Sequence, residues 1–220
     1  MAFETHNPRL MSSPRKYNLG DACTCWQLGD GIDEAISHRV LSIYRRLMRD
    51  DIADVRDIVP SYNAIAVYYD AASDNIERIE DLVESIIAAC LEGAPQEEPQ
   101  TTSFHKIPVR YGGPDLDRVA GLNGLKPERV IELHVAGIYT VAMIGFRPHF
   151  PYLIGLDARI ETPRLDAPRA RVPAGSVGIG GAQTGVYPTE SPGGWNIIGS
   201  CDPALLERLR PGDRVQFQRA

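Results

Sequence analysis

The sequence predicts an α+β N-terminal domain followed by a mainly-β domain folded as a small barrel or sandwich. Three observations carry that prediction. Apolar residues recur at helical spacing in two long runs only, both before residue 92. A segment of linker composition, Gly93-Ala94-Pro95-Gln96-Glu97-Glu98-Pro99-Gln100, follows them. Beyond Ile138 the chain breaks into short apolar pieces punctuated by Gly and Pro. The expected division is a disordered N-terminus over 1–14, a domain over 15–92, a linker over 93–101 and a β-rich domain over 102–220.

In chain order, Tyr17 to Leu28 reads as one strand closed by Gly29-Asp30-Gly31. Ile32, Ile36, Val40, Tyr44 and Leu47 then mark an amphipathic helix to about Arg49. Val55 to Val59 and Ala64 to Tyr69 read as strands. Asp74-Asn75-Ile76-Glu77 resembles a capping box opening a second helix along Ile76, Ile79, Val83, Ile86 and Cys90. After the linker come a strand from Phe104 to Val109, a short helix after Pro114 and another starting at Pro127, a favoured first helical position.

The 220 residues suffice to bury a sizeable core. With 23 basic and 29 acidic side chains the net charge is −6, which argues against nucleic acid as a partner. No secretory signal pattern opens the chain, and the longest apolar stretch, Ile86 to Leu91, is too short to span a bilayer. A cytoplasmic protein without a membrane partner is expected. Cys23, Cys25, Cys90 and Cys201 match no zinc spacing. Cys23 and Cys25 would share one face of a strand, as buried small hydrophobes rather than a metal pair.

The most informative segment is Val172-Pro173-Ala174-Gly175-Ser176-Val177-Gly178-Ile179-Gly180-Gly181-Ala182-Gln183-Thr184-Gly185-Val186-Tyr187-Pro188. From Gly175 to Gly199 stand 8 of the chain's 20 glycines, and no Lys or Arg occurs between Val172 and Glu207. Short strands joined by tight turns are expected, with Gly180, Gly181 and Gly185 forming a cleft floor that a ligand can approach closely. Gln183, Thr184 and Tyr187 would then be donors or acceptors, and Phe146, Tyr152 and Trp195 an apolar wall. Gly178-Ile179-Gly180-Gly181 lacks the Lys of a phosphate loop, and Gln183 stands where a dinucleotide fingerprint needs Gly. No helical pattern follows Ser176, so Ala174-Gly175-Ser176-Val177-Gly178 is not a nucleophile elbow. Arg159, Arg164, Arg169 and Arg171 form a basic run, either a solvated face or a rim for a carboxylate or a partner's acidic surface.

Gly145-Phe146-Arg147-Pro148-His149-Phe150-Pro151-Tyr152-Leu153, Gly155-Leu156-Asp157, Thr162-Pro163-Arg164, the glycine segment and Ser191-Pro192-Gly193-Gly194-Trp195 together resemble one family. It is that of the B-type subunit of bacterial 5-oxoprolinase, also called allophanate hydrolase subunit 1 or the carboxyltransferase C/D domain, and it includes a sporulation-kinase inhibitor. The resemblance runs from about Tyr17 to Phe217. It implies a cyclophilin-like β-barrel as the C-terminal domain. It also implies work within a multi-subunit enzyme that opens 5-oxoproline to glutamate at the expense of ATP, which this chain need not itself bind. The implied partners are a second cyclophilin-like subunit and a hydrolase-like subunit, and the chain alone would be inactive. A regulatory protein inhibiting a histidine kinase, or an accessory subunit for urea processing, are the alternatives. His134 corresponds to a histidine common in the family and is the candidate general acid or base, the alternative being a hydrogen-bonded structural residue. Arg164 lies in the matching Thr-Pro-Arg motif. The chain departs from the family's Gly and small residue at His149 and Pro151, from its apolar residue at Arg147, and in a shorter loop after Gly199.

Overall fold

A computed structural model describes residues 10–92 and 102–220. The chain divides between Pro99 and Gln100 into two compact units. The expected linker over 93–101 and the first nine residues of the expected disordered terminus lie outside the described residues.

In the first unit the strand expected from Tyr17 to Leu28 is two strands, β1 (Leu10–Asn18) and β2 (Cys23–Gly29), paired antiparallel. Gly20 takes a left-handed φ of 74° in the turn between them, which lets the chain reverse between Asn18 and Asp21. Residues 10–14, expected to be disordered, belong to β1, where Leu10 pairs with Gly29. Helix α1 (Glu34–Arg49) starts at Asp33, whose carboxylate accepts the Ile36 N–H at 2.9 Å. Strands β3 (Val55–Pro60) and β4 (Ala64–Tyr69) complete an antiparallel sheet of order β1-β2-β4-β3, and α2 spans Ile76–Glu92.

The capping box expected at the start of α2 is not what holds it. Ser73 Oγ accepts the Asn75 N–H, while Asp54, itself left-handed at φ 66°, accepts from Ser73 Oγ and Asn75 Nδ2. Trp26, Leu28, Ile36, Val40, Ile43, Ile65, Val67, Ile79 and Val83 form this unit's core between helices and sheet. Cys23 and Cys25 lie buried on one strand face, as the alternation requires, and Cys25 Sγ donates to the Tyr17 hydroxyl at 3.2 Å.

The second unit is a closed barrel. Its strands are β5 (Phe104–Tyr111), β6 (Tyr139–Ile144), β7 (Pro151–Ile154), β9 (Ser176–Ile179), β10 (Thr184–Val186), β12 (Asn196–Ser200) and β13 (Arg214–Arg219), in spatial order β10-β7-β6-β13-β5-β12-β9. All pairings are antiparallel except β13 with β5. A separate two-stranded sheet joins β8 (Arg169–Val172) to β11 (Ser191–Gly193). Helices α3 (Leu116–Leu122) and α4 (Pro127–Ala136) pack on β12 and β13. Their Val119, Ala120, Val130, Ile131 and Leu133 join Val109, Val141, Leu153, Val177, Ile179, Val186 and Phe217 in one apolar core. Among the described residues no helix is long and apolar enough to cross a membrane.

Candidate functional site

The glycine segment is the hairpin β9–β10, and its strict alternation gives it two unlike faces. Val177, Ile179 and Val186 point into the barrel core. Gly178, Gly180 and Gly185 point the other way, toward a second cluster of Phe150, Val172, Tyr187, Trp195 and Ile197 with Tyr152 against it. A side chain on Gly180 would begin 2.6 Å from the Trp195 indole nitrogen, and one on Gly185 would lie 2.7 Å from the Pro151 carbonyl and 3.0 Å from the Trp195 ring. The glycines are there so that an indole can lie on the strand backbone. The expected glycine floor therefore exists, but Trp195 covers Gly180 and Gly185. Gly181 alone is open, at the turn, with φ 66°.

Phe150 is the hub of the outer cluster. Its ring meets Tyr152 at 4.8 Å, Tyr187 at 5.2 Å, Phe146 at 5.5 Å and Trp195 at 5.7 Å, three of them edge-to-face. The Tyr187 hydroxyl takes a hydrogen bond from the Trp195 backbone, and burial pushes the phenol's pKa up. Burial likewise raises that of Tyr152. Phe146 is exposed in the β6–β7 turn, where the Arg147 guanidinium stands 5.7 Å over its ring. In the same turn Phe146 and His149 both take φ 65°. Glycine is the residue that adopts this conformation freely, so a non-glycine residue here is strained. Both residues store local strain at the rim of the cluster.

Gln183 is buried at 2 % exposure beside Gly180, whose N–H its backbone carbonyl accepts at 3.0 Å. Its side-chain Nε2 has no acceptor. Thr184, expected beside it at a ligand, faces the opposite way. The Thr184 hydroxyl donates to the Gly178 carbonyl at 3.0 Å and so accepts from His134 Nε2 at 2.9 Å. That assignment leaves His134 Nδ1 as acceptor of the Tyr111 hydroxyl at 2.7 Å. The chain Tyr111–His134–Thr184–Gly178 is thus directional and fixes the histidine tautomer.

His134 is fully buried, stacked on Phe217 at 4.6 Å, and burial drops its pKa to about 3. A ring sealed from solvent, neutral, and bonded at both nitrogens does the work of a structural bracket. It is not placed to exchange a proton with a ligand.

The four arginines separate. Arg159 pairs with Asp157 at 2.6 Å and Arg171 with Glu190 at 2.9 Å, both on the surface. Arg164 stands 5.8 Å over the Trp195 ring. Arg169 donates at 2.6 Å to Asp115, which is only 5 % exposed and also accepts the Ile197 N–H at 2.7 Å. Of the residues the sequence singled out, Phe146, Tyr152, Gly180, Gly185, Tyr187, Trp195 and Arg164 meet around one cluster, Gln183 borders it, and His134 and Thr184 stand behind it in the barrel. Phe150, Asp115 and Tyr111 were not singled out as site residues. Phe150 lay within the quoted motif; Asp115 and Tyr111 carry no local signal, because their partners lie 54 and 23 residues away.

In the hairpin turn the Gly180 N–H is bonded to the Gln183 carbonyl and the Gly181 N–H to the Thr162 carbonyl at 2.8 Å, so these two glycine donors are not free to face a phosphate.

The family model for the carboxyltransferase domain, subdomain C and D, matches residues 14–212. The chain is 41 % identical to the B-type subunit of 5-oxoprolinase from Escherichia coli O157:H7, over 94 % of this chain and 96 % of that one. It is 37 % identical to the corresponding 5-oxoprolinase subunit of Bacillus subtilis strain 168, over 91 % and 90 %. A crystal structure of TTHA0988 superposes with a TM-score of 0.77 at 36 % identity, covering 90 % of this chain and 40 % of that one. By sequence along nearly its whole length and by its barrel, the chain belongs to the carboxyltransferase C and D subdomain family.

Proposed function

We propose that this chain is the B-type subunit of an ATP-dependent 5-oxoprolinase, an amide hydrolase that is assembled from several subunits. The observation that carries this reading is the end-to-end match, at 41 % identity, to a protein named for that role. In the reaction the ring C–N bond breaks, the oxygen of water goes to the carbonyl carbon and its protons to the leaving amine. Hydrolysis of ATP to ADP and phosphate drives the step. The bonded Gly180 and Gly181 N–H groups favour ATP being held by a partner, a hydrolase-like or second barrel subunit, rather than here.

This chain's share is recognition. The outer cluster offers an aromatic wall of Phe146, Phe150, Tyr152, Tyr187 and Trp195. It adds an open turn at Gly181 and an unsatisfied amide on Gln183. His134 and Thr184 hold the hairpin from behind and act as positioning residues. The barrel is of the cyclophilin-like type, and the complex works in the cytoplasm.

The test is reconstitution. Glutamate should form from 5-oxoproline and ATP only when this chain is combined with its partner subunits. Turnover by the chain alone, or a reconstituted complex that consumes urea and not 5-oxoproline, would refute the reading.

A further inference from the structure

Around Trp195 two enclosed side-chain donors find no acceptor. Arg169 gives Nη2 to Asp115, but its Nη1 is enclosed and finds no acceptor. Both Asp115 oxygens are already engaged, one by Arg169 Nη2 and the other by the Ile197 N–H, and neither lies within reach of Nη1. Gln183 Nε2 is likewise enclosed without an acceptor. It borders the same ring, because Gly180, bonded to Gln183, lies against the indole nitrogen. Arg164 makes no ion pair among the described residues and rests over the indole. Both Arg164 and Arg169 lie within electrostatic reach of the Tyr187 hydroxyl. Buried donors without acceptors are uncommon in native proteins, and two at one place call for a ligand rich in acceptors.

We infer that Arg169 and Arg164 form an anion-binding edge on the aromatic cluster that takes the carboxylate of a small organic acid, with Gln183 donating to a second oxygen of the same molecule. This rests on the cluster being the ligand site. Asp115 holds one arm of the Arg169 fork and so aims the other, the arrangement in which a guanidinium recognises a carboxylate with defined geometry. Arg169 Nη1 has almost no contact with solvent, so its acceptor is small enough to enter the cluster and is not a carboxylate carried on a protein surface. Arg159 and Arg171, themselves exposed and each paired with its own carboxylate, stay outside the site.

Calorimetric titration of the full chain with 5-oxoproline and with 2-pyrrolidinone, the same lactam without its carboxylate, tests this. Arg169→Lys keeps a cation for Asp115 and removes the second arm; Arg164→Met, at an exposed position, leaves folding intact. Each should weaken 5-oxoproline binding tenfold or more and leave the weaker 2-pyrrolidinone binding unchanged. If both variants bind 5-oxoproline as the wild type does, the anion edge is wrong while the cluster stands as the ligand site. An equal loss for both compounds would also overturn it, making the arginines supports of the cluster. Unchanged titrations with lost co-purification of a partner subunit would assign the arginines to a protein carboxylate instead. If the wild-type chain binds neither compound, the ligand site and the anion edge fall together.

Discussion

On its inner face the β9–β10 hairpin meets a polar chain in which Tyr111, His134 and Thr184 are bonded end to end up to the Gly178 carbonyl. On its outer face it meets flat aromatic rings, and donors on Gln183 and Arg169 go unanswered. The same few residues serve both faces because side chains alternate along a strand. The contrast separates support from recognition. A group with every partner supplied by its own chain stabilises the fold, whereas buried groups left unsatisfied are where an external partner fits.

The comparison breaks most visibly at His134. Its replacement by Ala leaves a cavity, unpairs the Tyr111 hydroxyl and takes away the donor to the Thr184 hydroxyl, which keeps only its bond to the Gly178 carbonyl; this should cost about 4 kcal/mol of barrel stability. Denaturant unfolding followed through Trp195 in a Trp26→Phe background, which silences the other unit, would measure it. Gly185→Ala comes next, at about 2–3 kcal/mol, because its Cβ meets the Pro151 backbone and the Trp195 ring. Gly181→Val should cost less, about 1–2 kcal/mol, and for a different reason: its surroundings are open, and only the left-handed φ is strained.

The inner face also predicts a pH dependence. His134 titrates near 3 in the folded chain and near its ordinary 6.5 when unfolded, so between those values only the unfolded state takes up its proton. Its contribution is fully present above about 6.5 and is lost as pH falls toward 3, at about 1.4 kcal/mol per pH unit. His134→Asn should flatten that part of the stability profile; an unchanged slope would show that other groups carry it.

On the outer face the smallest stability effect should accompany a large functional one. Gln183→Ala removes an amide whose Nε2 has no partner, so stability should change by less than about 1 kcal/mol. Activity of the reconstituted complex should nevertheless fall tenfold or more; full activity would make the glycine segment purely structural. Arg171→Ala, which removes only an exposed pair, should move neither the melting curve nor ligand binding.

Much of the fold was legible because it is written in short-range patterns. Helical spacing placed α1 and α2, Pro127 opened α4, and alternation with glycines marked the hairpin. The early strand failed because Leu19 and Ala22 interrupt the turn formers Asn18, Gly20 and Asp21, so no continuous polar break marks the reversal. The capping box failed because Ser73 Oγ accepts the Asn75 N–H, while Asp54, about twenty residues away, holds the Ser73 and Asn75 side chains.

The site was legible as a set of residues, not as an arrangement. By itself the sequence determined that a glycine-rich, charge-free hairpin is accompanied by aromatics, an amide and arginines, since residue type and period need no third dimension. Only the tertiary structure decided which arginine is free and which is paired, that an indole covers the glycine floor, and that His134 is sealed in the barrel. The physical reason is that barrel closure brings together Asp115 and Arg169, His134 and Thr184, Gly180 and Trp195. Those pairings set burial, and burial sets whether a polar group is a support or a binding site.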